Sequence, residues 1–342
     1  MPCYVGLDVS KQLTSICAMD AKGGVLREGR VESSPKSIVD FLRGDRVRYA
    51  RVGIEACGLA AWLYQGLARA GLPVLCIEAR HAHGVLSARC QQKTDRSDAR
   101  GIADLMRTGT FRVVHIKTRA SQEARAILTA RKILRAKAMD LENAIRGLLL
   151  GFGIKFEPAR GLRFDRRVKP LIAKDAFAAR LVLPLLDLRE RLLAQAAGFE
   201  AQLRELAAQD SVCANLMTAP GVGPLTALTF RTAIDEPGRF ASSRSVGAHF
   251  GLVPKLSQSG DVERRGRITK HGDRDVRAML YLAALSAFRT GGRKSWLSAW
   301  GEQVAARRGR KRAVVAVARR LAVVLHRMWL SGSPFRWETL PA

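Results

Sequence analysis

Short apolar runs broken by turn residues open the chain. Residues 3–9 and 13–19 read as two β-strands, and the Gly23-Gly24 turn leads into a third near 25–31, the succession of an antiparallel meander. A helix near 35–43, a strand at 50–54, a helix near 59–70 and a strand at 73–78 then alternate as an α/β layer. Helices around 80–90 and 96–107 follow. About residues 1–115 therefore predict a mixed sheet flanked by helices.

The period then changes to seven. Between about 119 and 150 there is no proline, and Ile127, Leu134, Leu141 and Leu148 fall seven apart, with Ala124, Ala138 and Ile145 on offset positions. A second pattern spans about 176–208, with Leu185, Leu192, Phe199 and Leu206 again seven apart. A short Gly/Pro/Arg-rich stretch joins the two. This predicts an antiparallel helical hairpin, packed either on another copy of the chain or within an intramolecular bundle.

The remainder, about 211–342, reads as mainly helical. Ala219-Pro220-Gly221-Val222-Gly223-Pro224 lies between two helical patterns, and Gly221 and Gly223 suit a helix-hairpin-helix turn that lets backbone N–H groups approach a phosphate. The same spacing also serves as a plain tight turn. The expected organisation is thus an α/β domain over 1–118, a helical coiled-coil spacer over 119–210 and a mainly helical domain over 211–342.

Charge narrows the partners. The 342 residues carry 58 Lys or Arg against 30 Asp or Glu, a net of +28, and this predicts salt-sensitive attraction to polyanions. From Lys255 to Arg327 the local net is +13, and Arg307-Arg308-Gly309-Arg310-Lys311-Arg312 is the densest run. An anionic membrane would also attract such a chain. However, no apolar run approaches the roughly 18–20 residues of a spanning helix, and the N-terminus lacks a signal-peptide pattern. The expectation is a cytoplasmic nucleic-acid protein with no membrane partner. Six scattered cysteines without a C-x-x-C pair indicate neither a disulfide framework nor a zinc site. His81 and His83, two apart with no thiolate nearby, read as a solvated or structural pair.

In so basic a chain the placement of the acids is informative. Asp8 ends the run Tyr4-Val5-Gly6-Leu7, and Glu55 ends Arg51-Val52-Gly53-Ile54. Asp95 and Asp98, at i and i+3, face the same way from an expected helix start. Strand-end carboxylates opposite a helical pair suit hard divalent cations that stabilise the attacking and leaving oxygens of a phosphodiester. Any one of them could equally be a cap, and Asp95 with Asp98 could simply complement a helix dipole. Asp20 and Asp104 occupy neither kind of position.

Here the sequence resembles a known family. Gly6-Leu7-Asp8-Val9-Ser10-Lys11, Gly53-Ile54-Glu55-Ala56 and Lys93-Thr94-Asp95-Arg96-Ser97-Asp98-Ala99 resemble the DEDD-type insertion-sequence transposases of the "one-ten" family. Pro220-Gly221-Val222-Gly223 is similar to the start of that family's second domain. Val246-Gly247-Ala248-His249-Phe250-Gly251-Leu252-Val253-Pro254 with Gln258-Ser259-Gly260, then Gly266-Arg267-Ile268-Thr269-Lys270-His271-Gly272-Asp273, resemble its serine-bearing motif. The likeness covers nearly the whole chain, in order.

The resemblance implies a RuvC-like, RNase H-like metal-dependent domain, a coiled-coil spacer and a transposase domain with a nucleophilic serine. It implies Mg2+, with Mn2+ as the alternative ion, held by Asp8, Glu55, Asp95 and Asp98. Ser259 takes the nucleophile role, and Arg264, Arg265, Arg267 and Lys270 stand near it. The partners implied are donor and target DNA, a structured guide RNA, and further copies of the chain in a dimer or tetramer. One departure is that the usual paired Ser or Thr and Gly-Gly-Lys are replaced by Ser257-Gln258-Ser259-Gly260-Asp261-Val262, so Ser257 is a second candidate. Two other readings stay open: a RuvC-like nuclease or junction resolvase that uses water, and a non-catalytic nucleic-acid-binding protein.

Overall fold

The computed structural model describes residues 2–44, 47–87, 94–157, 162–259, 262–288 and 294–338. The side chains of His81, Ser259 and Arg265, and the whole of Lys93, Gly260 and Asp261, lie outside this description. The chain forms two compact units, Met1–Lys117 and Thr118–Ala342.

The first unit follows the expected alternation closely. Strands β1 (Cys3–Val9), β2 (Leu13–Met19) and β3 (Val25–Glu32) form the meander, and helix α1 (Pro35–Arg43) follows. Then come β4 (Tyr49–Glu55), α2 (Ala60–Arg69), β5 (Val74–Ile77), α3 (Ala79–Ser87) and α4 (Asp95–Thr108). The sheet order is β3-β2-β1-β4-β5. β1 pairs antiparallel with β2 and parallel with β4, and β4 pairs parallel with β5. This is an RNase H-like mixed sheet.

Alternation along the strands sorts the two faces. Val5, Leu7, Val52 and Ile54 are buried with Ile38, Leu42, Leu63 and Leu67 of α1 and α2. Gly6 and Gly53 point the other way, beneath α4. A Cβ on Gly6 would stand 2.1 Å from the Ala99 carbonyl oxygen and 2.3 Å from the Ala103 nitrogen. One on Gly53 would meet the Met106 side chain at 2.7 Å. The two glycines thus let the helix backbone lie directly on β1 and β4. Local signals fix where that helix begins and ends. Thr94 caps it in a reciprocal capping box with Ser97, Asp95 and Asp98 complement the first turn, and Gly109 ends it in the left-handed conformation.

The second unit begins with α5 (Arg119–Gly151), α6 (Leu162–Ile172) and α7 (Ala176–Gln209). α5 and α7 run antiparallel: Glu142 meets Arg189 at one end, and Arg131 meets Glu200 nearer the other. The seven-residue spacing is as expected, but the deepest seam is the offset line. Ala124, Ala138 and Ile145 are buried against a line of Val182, Arg189, Ala196 and Leu203. Ile127, Leu134 and Leu141 are only half-buried, and Leu148 is exposed. α6, which the sequence pattern did not reveal, closes the far end with Phe164, Val168 and Ile172.

After these come α8 (Ser211–Leu216), α9 (Pro224–Ile234) and α10 (Ser243–His249), then β6 (Pro254–Ser259) and β7 (Val262–Ile268). α11 (Arg274–Ala287), α12 (Trp296–Arg308) and α13 (Arg310–Ser331) complete the unit. α8 to α13, with one end each of α5 and α7, share one large apolar core. Within this mainly helical unit the β6–β7 hairpin, which the sequence pattern did not show, carries both candidate serines. Its strands are short and polar, so neither an apolar run nor a clean alternation announces them.

Replacing Gly6 by Val would drive a branched side chain into the α4 backbone. The expected cost is about 1–3 kcal/mol or more, which lowers the melting temperature of the first unit by about 5–15 °C. Calorimetry on the intact chain measures this, and an unchanged first transition would show that α4 does not rest on this glycine.

Candidate functional site: a carboxylate row and a serine hairpin

Strand register assembles the N-terminal site. Arg30 on β3 pairs with Ser15 on β2, and Ser15 pairs with Asp8 on β1. Leu7 pairs with Ile54, so Asp8 and Glu55 end neighbouring parallel strands side by side. Directly opposed residues share a face of a sheet. The row Arg30–Ser15–Asp8–Glu55 therefore lies on the face that Gly6 and Gly53 open to α4. The first turn of α4 reaches the same row: Asp95 accepts a hydrogen bond from Arg30 at 2.5 Å. Arg96 and Arg100 leave the helix toward Glu28 on β3. At about 100° per residue, Asp98 projects from the side opposite both arginines.

A cleft of about 570 Å³ opens at the β3 end of the row, lined by Ser15, Glu28, Arg30, Thr94, Asp95 and Arg96; Asp8, Glu55 and Asp98 do not line it. The Arg100 hydrogen bonds, reinforced by Arg96, outweigh burial and pull the Glu28 carboxyl down to about 2. Glu28 thus stays ionised and anchors α4 to β3. Spacing along the sequence did not single out Glu28, Arg30 or Arg100. A charged pair at i and i+2 on an edge strand was the signal available, and it also fits a plain solvated face.

The oxygen donors suit a hard divalent cation. Among the described residues no three His, Cys, Asp or Glu groups converge on one point. Asp8, Glu55, Asp95 and Asp98 are thus not gathered into one ready-made cage, and an ion here would be completed by waters and substrate phosphate. Thiol chemistry is not on offer in the cores. Burial pushes the Cys17 and Cys213 thiols up to about 12 and the Cys76 thiol to about 11. Asp20 and Asp104 have local roles: Asp20 accepts from the Lys22 and Gly24 backbone, and Asp104 pairs with Arg107.

The second candidate site is the β6–β7 hairpin. Ser257 pairs with Arg264, Gln258 with Glu263 and Ser259 with Val262. Its root is fixed by two crossing glycine backbones. A Cβ on Gly251 would stand 2.3 Å from the His271 oxygen, and one on Gly272 would stand 2.0 Å from the His249 oxygen. Both glycines have positive φ, and so does Lys270 at 59°. Thr269 N donates to Val253 O, Lys270 N donates to Gly251 O, and Arg277 donates to the Phe250, His271 and Gly272 carbonyls. Arg264, Arg267 and Lys270 are exposed.

Gly221 and Gly223 divide their roles. Gly221, at φ 76°, has no room for a Cβ, which would stand 2.1 Å from Ala283 O, so packing on α11 accounts for it. Gly223 caps α9 with open space around it and leaves that N-terminus accessible. Arg307, Arg308, Arg310, Lys311 and Arg312 are all exposed around Gly309, where α12 gives way to α13. No described helix is long and apolar enough to cross a membrane.

An RNase H-like sheet with carboxylates on neighbouring strand ends, in a strongly basic chain, marks the class of enzymes that cut nucleic-acid phosphodiesters. Comparison with known proteins narrows this. A family model described as Transposase, of the DEDD IS110 type, matches residues 5–154, and one described as Transposase IS116/IS110/IS902 family matches residues 213–298. The transposase for insertion sequence element IS1111A of Coxiella burnetii is 31% identical over 332 residues, covering 94% of this chain and 88% of that protein. A Sinorhizobium fredii protein that bears the transposase name y4pF/y4sB is 29% identical, over 97% of this chain and 85% of its own length. The chain belongs to the IS110 family of transposases and is a DNA-cutting and recombining enzyme.

The ion pairs of Glu28 set an acid limit on the N-terminal site. Because the folded value lies below the ordinary 4.5, their contribution is present above pH 4.5 and is lost as pH falls toward about 2. Glu28→Gln should remove this pH dependence and loosen the α4 N-terminus at neutral pH. Hydrogen exchange of the α4 amides between pH 3 and 7 tests it, and identical profiles for both proteins would refute the anchor.

Proposed function

We propose that the chain moves its element by DNA strand transfer through a covalent phosphoserine link formed by Ser259, with Asp8, Glu55, Asp95 and Asp98 holding Mg2+ or Mn2+. The observation that carries this reading is the Arg30–Ser15–Asp8–Glu55 row on the α4 face. Bound there, a hard divalent cation would neutralise charge on the attacking and leaving oxygens of the phosphodiester.

The rest of the chemistry falls to the chain itself. Ser259 Oγ attacks phosphorus: the Oγ–P bond forms and one P–O bond to a deoxyribose oxygen breaks. The serine proton leaves, the departing oxygen takes one up, and rejoining is the same exchange run in reverse with a new DNA end. A serine hydroxyl is a weak nucleophile at its own pKa and needs a base or a metal beside it. Arg264, Arg265, Arg267 and Lys270 offer positive charge to the five-coordinate phosphate.

The exposed run from Arg307 to Lys311 and Arg312, with the α9 N-terminus at Gly223, suits phosphate tracking without base readout. We therefore assign sequence choice to a structured guide RNA that pairs with donor and target DNA. The half-buried line Ile127, Leu134 and Leu141 with exposed Leu148 favours packing on a second copy, in a dimer or tetramer. In this reading residues 1–118 are the metal-dependent domain, 119–210 the spacer and 211–342 the serine-bearing domain, working in the cytoplasm.

The chemistry is tested by trapping. Full-length protein incubated with Mg2+ and DNA carrying the element's ends should give a denaturation-resistant protein–DNA adduct. Ser259→Ala should abolish it, Ser257→Ala should retain it, and Asp8→Asn or Glu55→Gln should lower it at least 100-fold, on the order of a lost catalytic group, with DNA binding kept. Cleavage without any adduct would instead make the chain a hydrolytic nuclease. The RNA assignment is tested separately by sequencing nucleic acid that co-purifies with the protein. One structured species is expected, and random fragments would remove the guide.

A further inference from the structure

We propose that a cavity of about 320 Å³ in the second unit binds one unpaired nucleotide of a nucleic-acid strand. Its residues lie between 296 and 336, and none of them is among those assigned above to strand transfer. The proposal rests on the reading that the chain handles nucleic acid, and it adds a place where a strand is held open.

The walls are aromatic and rigid. Phe335 stacks on Trp296 with ring centroids 6.0 Å apart and planes 12° apart. Trp296 Nε1 donates to the Arg336 carbonyl at 2.9 Å, and Phe335 N donates to Thr218 Oγ1 at 2.8 Å, so both rings are held before any ligand arrives. Arg320 lies over Trp296 at 5.0 Å and over Trp300 at 4.5 Å. Val324 and Met328 of α13 supply apolar surface between these groups.

The mouth is cationic. Arg320, Arg327 and Arg336 line the cavity and are exposed, and no Asp or Glu lines it. A cationic or neutral apolar ligand would leave three guanidiniums unanswered, whereas a flat ring joined to a phosphate satisfies both the walls and the rim. Aromatic walls with arginines along a backbone path are how single strands are held without regard to sequence. The Ser331 and Ser333 hydroxyls at the rim can also accept from a base edge or a sugar hydroxyl. The size suits one base with its sugar, at the small end of ligand pockets.

The test uses the full-length chain and 5-iodouracil-bearing single strands in two arms, one DNA and one RNA, with a duplex of matched length as control. On irradiation the wild-type protein should crosslink to peptides containing Trp296. Arg327→Ala removes an exposed charge, and Val323→Trp fills the cavity without changing charge. Each should weaken single-strand binding about tenfold, on the order of one lost stacking contact, and leave duplex binding unchanged. The arm with the stronger and more variant-sensitive crosslink identifies the strand as DNA or RNA. Crosslinks mapping elsewhere, normal single-strand binding by Val323→Trp, or equal losses for single strand and duplex would overturn the proposal. Loss of every nucleic-acid complex in the wild type would count instead against the transposase reading on which it rests.

Discussion

The N-terminal site depends on one close approach, the backbone of α4 lying on Gly6. No side chain separates helix from strand at that point, because the Ala99 carbonyl occupies the place of a Cβ. Once the helix is that close, its direction is set by what flanks the contact. Met106 packs over Gly53 on β4, and Arg96 and Arg100 tie the other end to Glu28 on β3. Asp95 and Asp98 then have little choice of position. Asp95 is carried to Arg30 at one end of the row Arg30–Ser15–Asp8–Glu55, and a shift of one turn, about 5.4 Å, would take it off that contact.

The helical hairpin solves a different problem with charge. Two seam positions that would ordinarily be apolar hold arginines. Arg131 meets Glu200, and Arg189, almost fully buried, meets both Glu142 and Asp165 with its guanidinium over the Phe164 ring. A buried ion pair contributes little net stability against an apolar substitute, but removing one partner costs about 3–5 kcal/mol because the other charge is stranded. Such pairs penalise slippage. Sliding α7 by one heptad would leave Arg189 without either carboxylate, so the ion pairs select the register that the leucines alone would leave degenerate.

Much of this was legible in the sequence, and what escaped has physical reasons. The first sheet was readable because its strands are apolar and its turns are marked by glycine. The spacing of Asp95 and Asp98 was readable because the helix start is signalled by Thr94 and Ser97. The β6–β7 hairpin was not, since Lys255, Gln258, Glu263 and Arg264 carry no alternation that distinguishes a polar two-stranded ribbon from a loop. α6 was hidden by its arginines and by Pro170. In the helical hairpin the sequence showed both seven-residue lines of α5, but spacing alone did not say that the offset line with Ala138 and Ile145 is the deeper one. Contacts such as Arg30 with Asp95, 65 residues apart, leave no mark in local spacing at all.

The distribution of charge follows from the same scarcity that makes the carboxylate row conspicuous. With 30 acids against 58 bases, a large share of the acids is committed inside the units. Glu28 holds α4, Asp273 caps α11 and pairs with Arg125, and Asp235 accepts from both the backbone and the hydroxyl of Thr118. Burial works against the ionised Asp273, yet Arg125 and the α11 N–H groups hold its carboxyl below the usual range. Other basic residues, Arg310, Lys311 and Arg312 among them, are left exposed at the surface. Arg310, Lys311 and Arg312 even occupy the first turn of α13, the positive end of its dipole, where each basic charge is disfavoured by about 0.3–1 kcal/mol. Folding alone would not select that arrangement. A phosphate backbone laid across the α12–α13 junction, as in the proposed function, would reverse its sign and turn three local penalties into three contacts.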